Sequence, residues 1–208
     1  MDELVKSLVN NGVIISESIR RAFAKVDRAH FVPSDVTDLA YEDTALPIGE
    51  GQTISQPYTV AFLLELLSPR VGDHILDVGS GSGWQTALLA EIVGTKGQVY
   101  AIELIRNIYE FGKGNLEKYP ELLERVKLYC QNAESGLLKE AEVAGGFDGV
   151  IVAAEVTEVP KVWRAQLKVG GKLVYPQGGS LYKETKLKGG EWQVNQYPGF
   201  AFVPFVNP

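Results

Sequence analysis

From Ile75 to Trp84 the chain reads Ile-Leu-Asp-Val-Gly-Ser-Gly-Ser-Gly-Trp, an apolar run carrying one acid, Asp77, that opens into glycines at alternate positions. Such a run, followed by a glycine turn and a helical pattern, is the strand–turn–helix joint of an α/β protein. Glycine lets the backbone take positive φ and lets a ligand approach with no Cβ in the way, while the helix start offers free N–H groups. The joint therefore predicts a nucleotide-sized pocket, and its flanks decide which nucleotide. A dinucleotide fingerprint requires G-x-G-x-x-G, but counted from Gly79 the third glycine would fall on Trp84. Asp77, two residues before Gly79, would repel a pyrophosphate and attract a cation.

S-adenosyl-L-methionine suits that field, since it carries a sulfonium, an ammonium, one carboxylate and no phosphate. A second acid at the end of the next strand is the expected partner for the two ribose hydroxyls. The segment Gln98-Val99-Tyr100-Ala101-Ile102-Glu103 supplies it about twenty residues after the glycine turn. Glycines alone would be weak evidence, because surface turns collect them too. Strand, acid, glycine turn, helix, strand and second acid in this order are far more specific.

With 208 residues, 45% of them hydrophobic and 22% charged, the chain can bury a substantial core. It is read as a single domain over 1–208, with residues 1–70 forming an N-terminal helical cap and active-site loop and 71–208 the cofactor-binding core. No apolar run reaches the roughly 18 residues that span a bilayer, and the start Met1-Asp2-Glu3 is unlike a signal peptide. The expectation is a cytoplasmic protein without a membrane partner, working as a monomer. A net charge of -6, with no block of lysine or arginine, argues against a nucleic-acid partner. Cys130 is the one cysteine and sits in an apolar run, which points to an inert thiol. Neither His30 nor His74 has metal-ligand spacing to a cysteine or an acid, so no metal is expected.

Along the chain, Leu4 to Val9 and Ser18 to Val26 read as short amphipathic helices, followed by a Pro- and Gly-punctuated stretch from Phe31 to Gly51. Pro57 suits the first turn of a helix ending before Ser68-Pro69. Strands at 74–78, 98–103, 126–130, 147–153 and 172–176 then alternate with helices at 84–93, 106–118, 134–142 and 158–167. Such alternation predicts a Rossmann-like, doubly wound and mostly parallel α/β sheet. The tail reads as a β-hairpin, 181–187 with 192–197, and a last strand at 200–205.

The strings Phe31-Val32-Pro33, Ala40-Tyr41-Glu42-Asp43, Leu46-Pro47-Ile48-Gly49, Gly51-Gln52-Thr53-Ile54-Ser55-Gln56-Pro57 and Phe202-Val203-Pro204, together with Asp77 to Gly83, carry a likeness over nearly the whole chain. The chain resembles the protein-L-isoaspartate O-methyltransferase family, and the Gly-Gln-Thr-Ile-Ser-x-Pro string is the specific part. The resemblance implies a class I methyltransferase that esterifies the abnormal α-carboxylate of L-isoaspartyl residues in damaged peptides and proteins. S-adenosyl-L-methionine would be the cofactor and S-adenosyl-L-homocysteine the product. It implies Ser55 as the active-site residue, with Gln52, Thr53, Ile54, Asp77, Gly79, Ser80, Gly81, Gly83, Glu103, Asn132 and Ala133 around the cofactor. A serine just before a helix is also a favoured capping residue, so capping of the Pro57 helix is the competing role for Ser55.

The chemistry asks little of the protein. A carboxylate with a reference pKa near 4 is already ionised at neutral pH, so it needs positioning about 3 Å from the methyl group and not a general base. The chain departs from the family pattern in places. Gln131-Asn132-Ala133 replaces Gly-Asp-Gly after the third strand, and asparagine keeps a carbonyl acceptor for the adenine amino group. Tyr58 replaces a histidine, Val206 replaces a hydroxyl residue, and Ala153-Ala154-Glu155-Val156-Thr157 replaces a Gly-Ala-Ala-Ala-Pro-like run. The last change places Glu155 near the expected acceptor mouth, where it would repel an anionic acceptor unless it points away or meets a cation. Alternatives are a cofactor-binding module without activity and a carboxyl methyltransferase for another acceptor. An N-methyltransferase of nucleic acids or amines would need an Asn/Asp-Pro-Pro-aromatic run, which Ala154-Glu155-Val156-Thr157 does not provide.

Overall fold

A computed structural model describes residues 1–206; residues 207 and 208, the end of the span read as a single domain, lie outside the described residues. The N-terminal part begins with helices α1 (Asp2–Asn10) and α2 (Glu17–Lys25), followed by two 3₁₀ turns over Arg28–Phe31 and Ser34–Leu39. In α2, Ile19, Ala22 and Phe23 are buried, the i, i+3, i+4 spacing that turns one face inward. The entry to α2 is capped from a distance. Glu65 accepts hydrogen bonds from the backbone N–H groups of Ile15 and Ser16 and from the Ser16 hydroxyl, all at 2.7–2.8 Å.

A two-stranded antiparallel ribbon comes next, β1 (Leu46–Gly49) and β2 (Gln52–Ile54), in a region expected to be loop. Its turn residues Glu50 and Gly51 both have positive φ, 52° and 70°, as in the hairpin turn whose twist matches the strands. Pro47 inside the first strand and a Glu-Gly turn in place of Asn-Gly hide this ribbon in the sequence. Helix α3 (Pro57–Leu67) follows with Pro57 at its start.

The main sheet contains β3 (His74–Val78), β4 (Gln98–Glu103), β5 (Val126–Cys130), β6 (Phe147–Val152), β7 (Leu167–Gln177), β8 (Ser180–Lys186) and β9 (Trp192–Pro198). Their spatial order is β5-β4-β3-β6-β7-β8-β9, parallel from β5 to β7 and antiparallel at β8 and β9. Helices α4 (Trp84–Val93), α5 (Arg106–Leu116), α6 (Pro120–Leu123), α7 (Leu138–Ala144) and α8 (Lys161–Ala165) occupy the connections. The chain runs outward from β3 to β5 and returns to the other side of β3 at β6. That reversal is the switch point where open α/β sheets place their ligands, outside the carboxyl ends of the strands.

The two faces follow the period-2 alternation of the strands. Ile75, Val99, Ala101, Ile151 and Val174 join one apolar cluster with α2, α3 and α4, while Leu76, Tyr100, Ile102, Val150, Val152 and Leu173 join another with Ala141 and Trp163 from α7 and α8. Several boundaries depart from the sequence reading. Helix α7 starts at Leu138 and not near 134, α8 is shorter than 158–167, and β7 extends back to Leu167. Residues 200–205 form no strand beyond a single parallel bridge between Glu155 and Pro204. Pro204 and the turn at Gly199 prevent a continuous ladder there.

Candidate functional site

The glycine turn folds back over the end of β4, because the N–H groups of Gly79 and Ser80 both donate to the Ile102 carbonyl, at 2.9 and 3.1 Å. Gly81 and Gly83 take φ of 54° and 85°, left-handed values that glycine adopts without strain. The turn is also held from below. A Cβ on Gly83 would meet the Gly112 carbonyl at 3.0 Å, so the turn and α5 touch backbone to backbone. Asn115 of α5, itself buried, donates to the Ser82 carbonyl at 3.0 Å.

Asp77 is fully buried beneath the turn. Its two oxygens accept from Gln85 Nε2 at 2.8 Å and Thr86 Oγ1 at 2.6 Å, so the carboxylate ties the end of β3 to the first turn of α4. Burial pushes its pKa up to about 6, against the lowering effect of those bonds. Glu103 is placed differently. At 7% exposure it borders the cavity, accepting from the Gly81 N–H at 3.0 Å and the Ile105 N–H at 2.9 Å. A carboxylate has about four lone-pair sites, so two backbone donors leave acceptor capacity for two more hydroxyls.

The loop before α3 forms the opposite wall. Ser55 does not cap α3. Asp43 does so from elsewhere in the chain, its Oδ1 taking the Tyr58 N–H at 2.8 Å. No described residue hydrogen-bonds the Ser55 hydroxyl, while the Ser55 carbonyl accepts from the buried Arg28 at 3.2 Å.

Between these walls lies a cavity whose enclosed and mouth space is about 830 Å³. Of the residues expected around a cofactor, Gln52, Thr53, Ile54, Gly79, Ser80, Gly81, Glu103 and Ala133 border it, as does Ser55. Asp77, Gly83 and Asn132 do not, and Asn132 instead takes the Glu134 N–H on its Oδ1 at 2.7 Å. Trp84, Ile105, Gln131 and Val203 to Val206 also border it. Trp84 reads in sequence as a packing residue, and it packs edge-on against Phe23 with centroids 5.3 Å apart while also bordering the cavity. Ala133 is fixed from behind by Trp163, whose indole N–H donates to its carbonyl at 2.8 Å.

A second, more open hollow adjoins the first. The two share Thr53, Ser55, Ala153, Val203 and Pro204, and the second adds Asp43, Thr44, Tyr58, Phe200 and Phe202. Glu155 lies outside both. Its Oε1 accepts from the Gly179 N–H at 3.2 Å, so the carboxylate is directed at the β7–β8 turn. His30 and His74 border neither hollow and bond Tyr119 and Tyr100. Among the described residues no His/Cys/Asp/Glu group could hold a metal, and no helix is long and apolar enough to cross a membrane.

Among the described residues no lysine, arginine or histidine borders the first cavity, and one side-chain carboxylate, Glu103, does. A pyrophosphate would find no cation there. A parallel sheet with its ligand cavity at the switch point, a glycine turn and a strand-end carboxylate define a class I S-adenosylmethionine-dependent methyltransferase. A family model for protein-L-isoaspartate(D-aspartate) O-methyltransferase matches residues 1–208, and the chain belongs to that family. It is 43% identical over 197 residues to a protein-L-isoaspartate O-methyltransferase of Petrotoga mobilis, covering 93% of this chain and 89% of that one. The corresponding protein of Thermococcus onnurineus is 41% identical over 207 residues, covering 97% and 91%. A Plasmodium falciparum protein described as a protein-L-isoaspartate O-methyltransferase, crystallised with S-adenosyl-L-homocysteine, superposes with a TM-score of 0.86 at 27% identity, covering 98% of this chain and 97% of that one.

Proposed function

We propose that this protein transfers a methyl group from S-adenosyl-L-methionine to the α-carboxylate of L-isoaspartyl residues in damaged peptides and proteins, releasing S-adenosyl-L-homocysteine. The observation that carries this reading is the meeting of the two hollows at Ser55, one lined without cations, the other more open and able to admit a polypeptide. Family membership and the Plasmodium falciparum complex with S-adenosyl-L-homocysteine support it.

The residues fit the cofactor by their chemistry. Glu103 keeps acceptor capacity for the ribose hydroxyls, Gln131 and Ala133 form the wall for the base, and the glycine turn leaves room for backbone approach. Asp77 acts through α4, by holding Gln85 and Thr86, and lends negative potential from beneath the turn. When bound, S-adenosyl-L-methionine supplies a methyl group on a sulfonium, whose bonding pair leaves on sulfur as the acceptor oxygen takes the carbon, so no proton has to move. The Ser55 hydroxyl donates to the acceptor carboxylate and aims it, a positioning role that the absence of a general base requires. The chain acts as a single unit in the cytoplasm on peptide and protein acceptors.

The test is transfer of labelled methyl from S-adenosyl-L-methionine to an isoaspartyl peptide, with the matching aspartyl peptide as control. A base-labile methyl ester on the isoaspartyl peptide alone is expected. No ester on either peptide, or equal esters on both, rejects the reading.

A further inference from the structure

Arg28 is one of the largest side chains buried completely in this protein. Its guanidinium meets no carboxylate within ion-pairing distance among the described residues. It donates instead to backbone carbonyls: Ala40 at 2.8 Å, Glu42 at 3.3 Å, Thr44 at 2.8 Å and Ser55 at 3.2 Å. The Nε has no partner, and the cation lies 5.3 Å from the centre of the Trp84 ring. Desolvation lowers its pKa only to about 10, so the group is charged at neutral pH.

A buried cation with no ion-pair partner, helped only by the more distant charge of Asp43, is an expensive way to fill space, and an apolar side chain of similar volume would stabilise the fold at least as well. Its geometry offers something an apolar side chain lacks. The planar fork reaches segments that are not contiguous: the stretch ending at Thr44, which borders the open hollow, and the Ser55 loop, which borders both. Its guanidinium carbon lies over the ring of Trp84, which begins α4 and borders the cofactor cavity. The bond to the Ser55 carbonyl restrains the backbone from which the Ser55 side chain departs. We propose that Arg28 is a positioning residue for methyl transfer, holding the Ser55 loop and the Thr44 wall in fixed relation to Trp84 on the cofactor side. This assignment rests on the methyl-transfer reading above. Neither the glycine turn nor Glu103 bonds to Arg28, so its loss should act much more on kcat than on cofactor affinity.

The experiment compares full-length wild type with Arg28→Lys, which keeps charge but loses the fork, and Arg28→Met, which keeps approximate volume and loses both. S-adenosyl-L-homocysteine affinity is measured by calorimetry, and kcat and KM are measured on an isoaspartyl peptide. Both variants should bind S-adenosyl-L-homocysteine within about threefold of wild type and lose about tenfold or more in kcat, with KM changing less, since sub-ångström misplacement acts on the reacting geometry. A variant with kcat within about twofold of wild type overturns the assignment. So does a kcat loss matched by an equal loss of cofactor affinity, or failure of both variants to fold, which would make the clamp purely structural. A wild type inert on the peptide fails the methyl-transfer reading, and the assignment falls with it; an active wild type with active variants fails the assignment alone.

Discussion

Ser55 presents an uncommitted hydroxyl at the junction of two hollows, and its competing role, capping α3, is taken by Asp43. Replacement by alanine should therefore leave stability nearly unchanged. Losing one donor to a charged acceptor costs about 1.5–3 kcal/mol, or roughly 10–100-fold in rate if the bond matters in the transition state. The expected outcome for Ser55→Ala is that loss in kcat with S-adenosyl-L-homocysteine affinity and melting temperature preserved. A radiolabel assay and calorimetry on the same preparation check it, and wild-type turnover would assign the orienting donor elsewhere. Ser55 is visible in sequence because it sits in a specific string. Arg28 is not, because its partners are carbonyl oxygens, which every residue carries. Glu155 shows the opposite failing: its place in the chain is readable, but the direction of its side chain depends on the Gly179 amide, 24 residues away.

At the scale of elements, the joint between β3 and α4 makes the pH behaviour specific. Desolvation raises the Asp77 pKa from 3.8 to about 6, the nearby Glu103 charge adds to this, and the Thr86 and Gln85 bonds oppose it. The folded state thus holds a proton that the unfolded chain has released between roughly pH 4 and 6. A raised carboxylate pKa favours the folded state below that window, and the contribution is lost as pH rises through it. At 1.36 kcal/mol per unit the loss is about 3 kcal/mol. Asp77→Asn cannot titrate, so the difference in unfolding free energy between wild type and variant should move by up to about 3 kcal/mol across that window, against the wild type as pH rises. Denaturant unfolding at a series of pH values measures it, and parallel curves for the two proteins would refute the link. The acid and the glycines of this joint are readable in sequence, whereas Gln85 and Thr86 look like ordinary helix residues. Element ends blur for similar reasons. The Asn132 side chain binds the Glu134 N–H in a local turn that competes with helix, and α7 starts only at Leu138.

For the whole molecule, strand and helix alternation suffices to anticipate the parallel sheet and its switch point, since right-handed crossovers leave few other arrangements. What alternation does not contain is how distant segments close over that point. The first cavity is walled by the Ser55 loop, by the turns after β3, β4 and β5, and by residues 203–206, which have no strand partner except the bridge from Glu155 to Pro204. The 203–206 segment holds its place through the Val203 carbonyl, the Phe205 N–H and the edge-on contact of Phe205 with Trp163 at 5.7 Å. A ligand that fills the cavity must then stabilise all of these walls together. S-adenosyl-L-homocysteine at about 100 times its Kd adds about 2.7 kcal/mol to the folded state, worth roughly 5–10 °C in melting temperature for a chain of this size. Hydrogen exchange followed on the same complex should show amide protection rising in 52–55, 79–83, 103–105 and 203–206 in parallel. Apart from 52–54 in the short ribbon and Glu103 at the end of β4, those amides lie outside the strands, so their exchange reports local opening more than global unfolding. Protection confined to 79–83 and 103–105 would mean that the ligand stands on the sheet alone. The Ser55 loop and the 203–206 segment would then belong to the acceptor's side of the site.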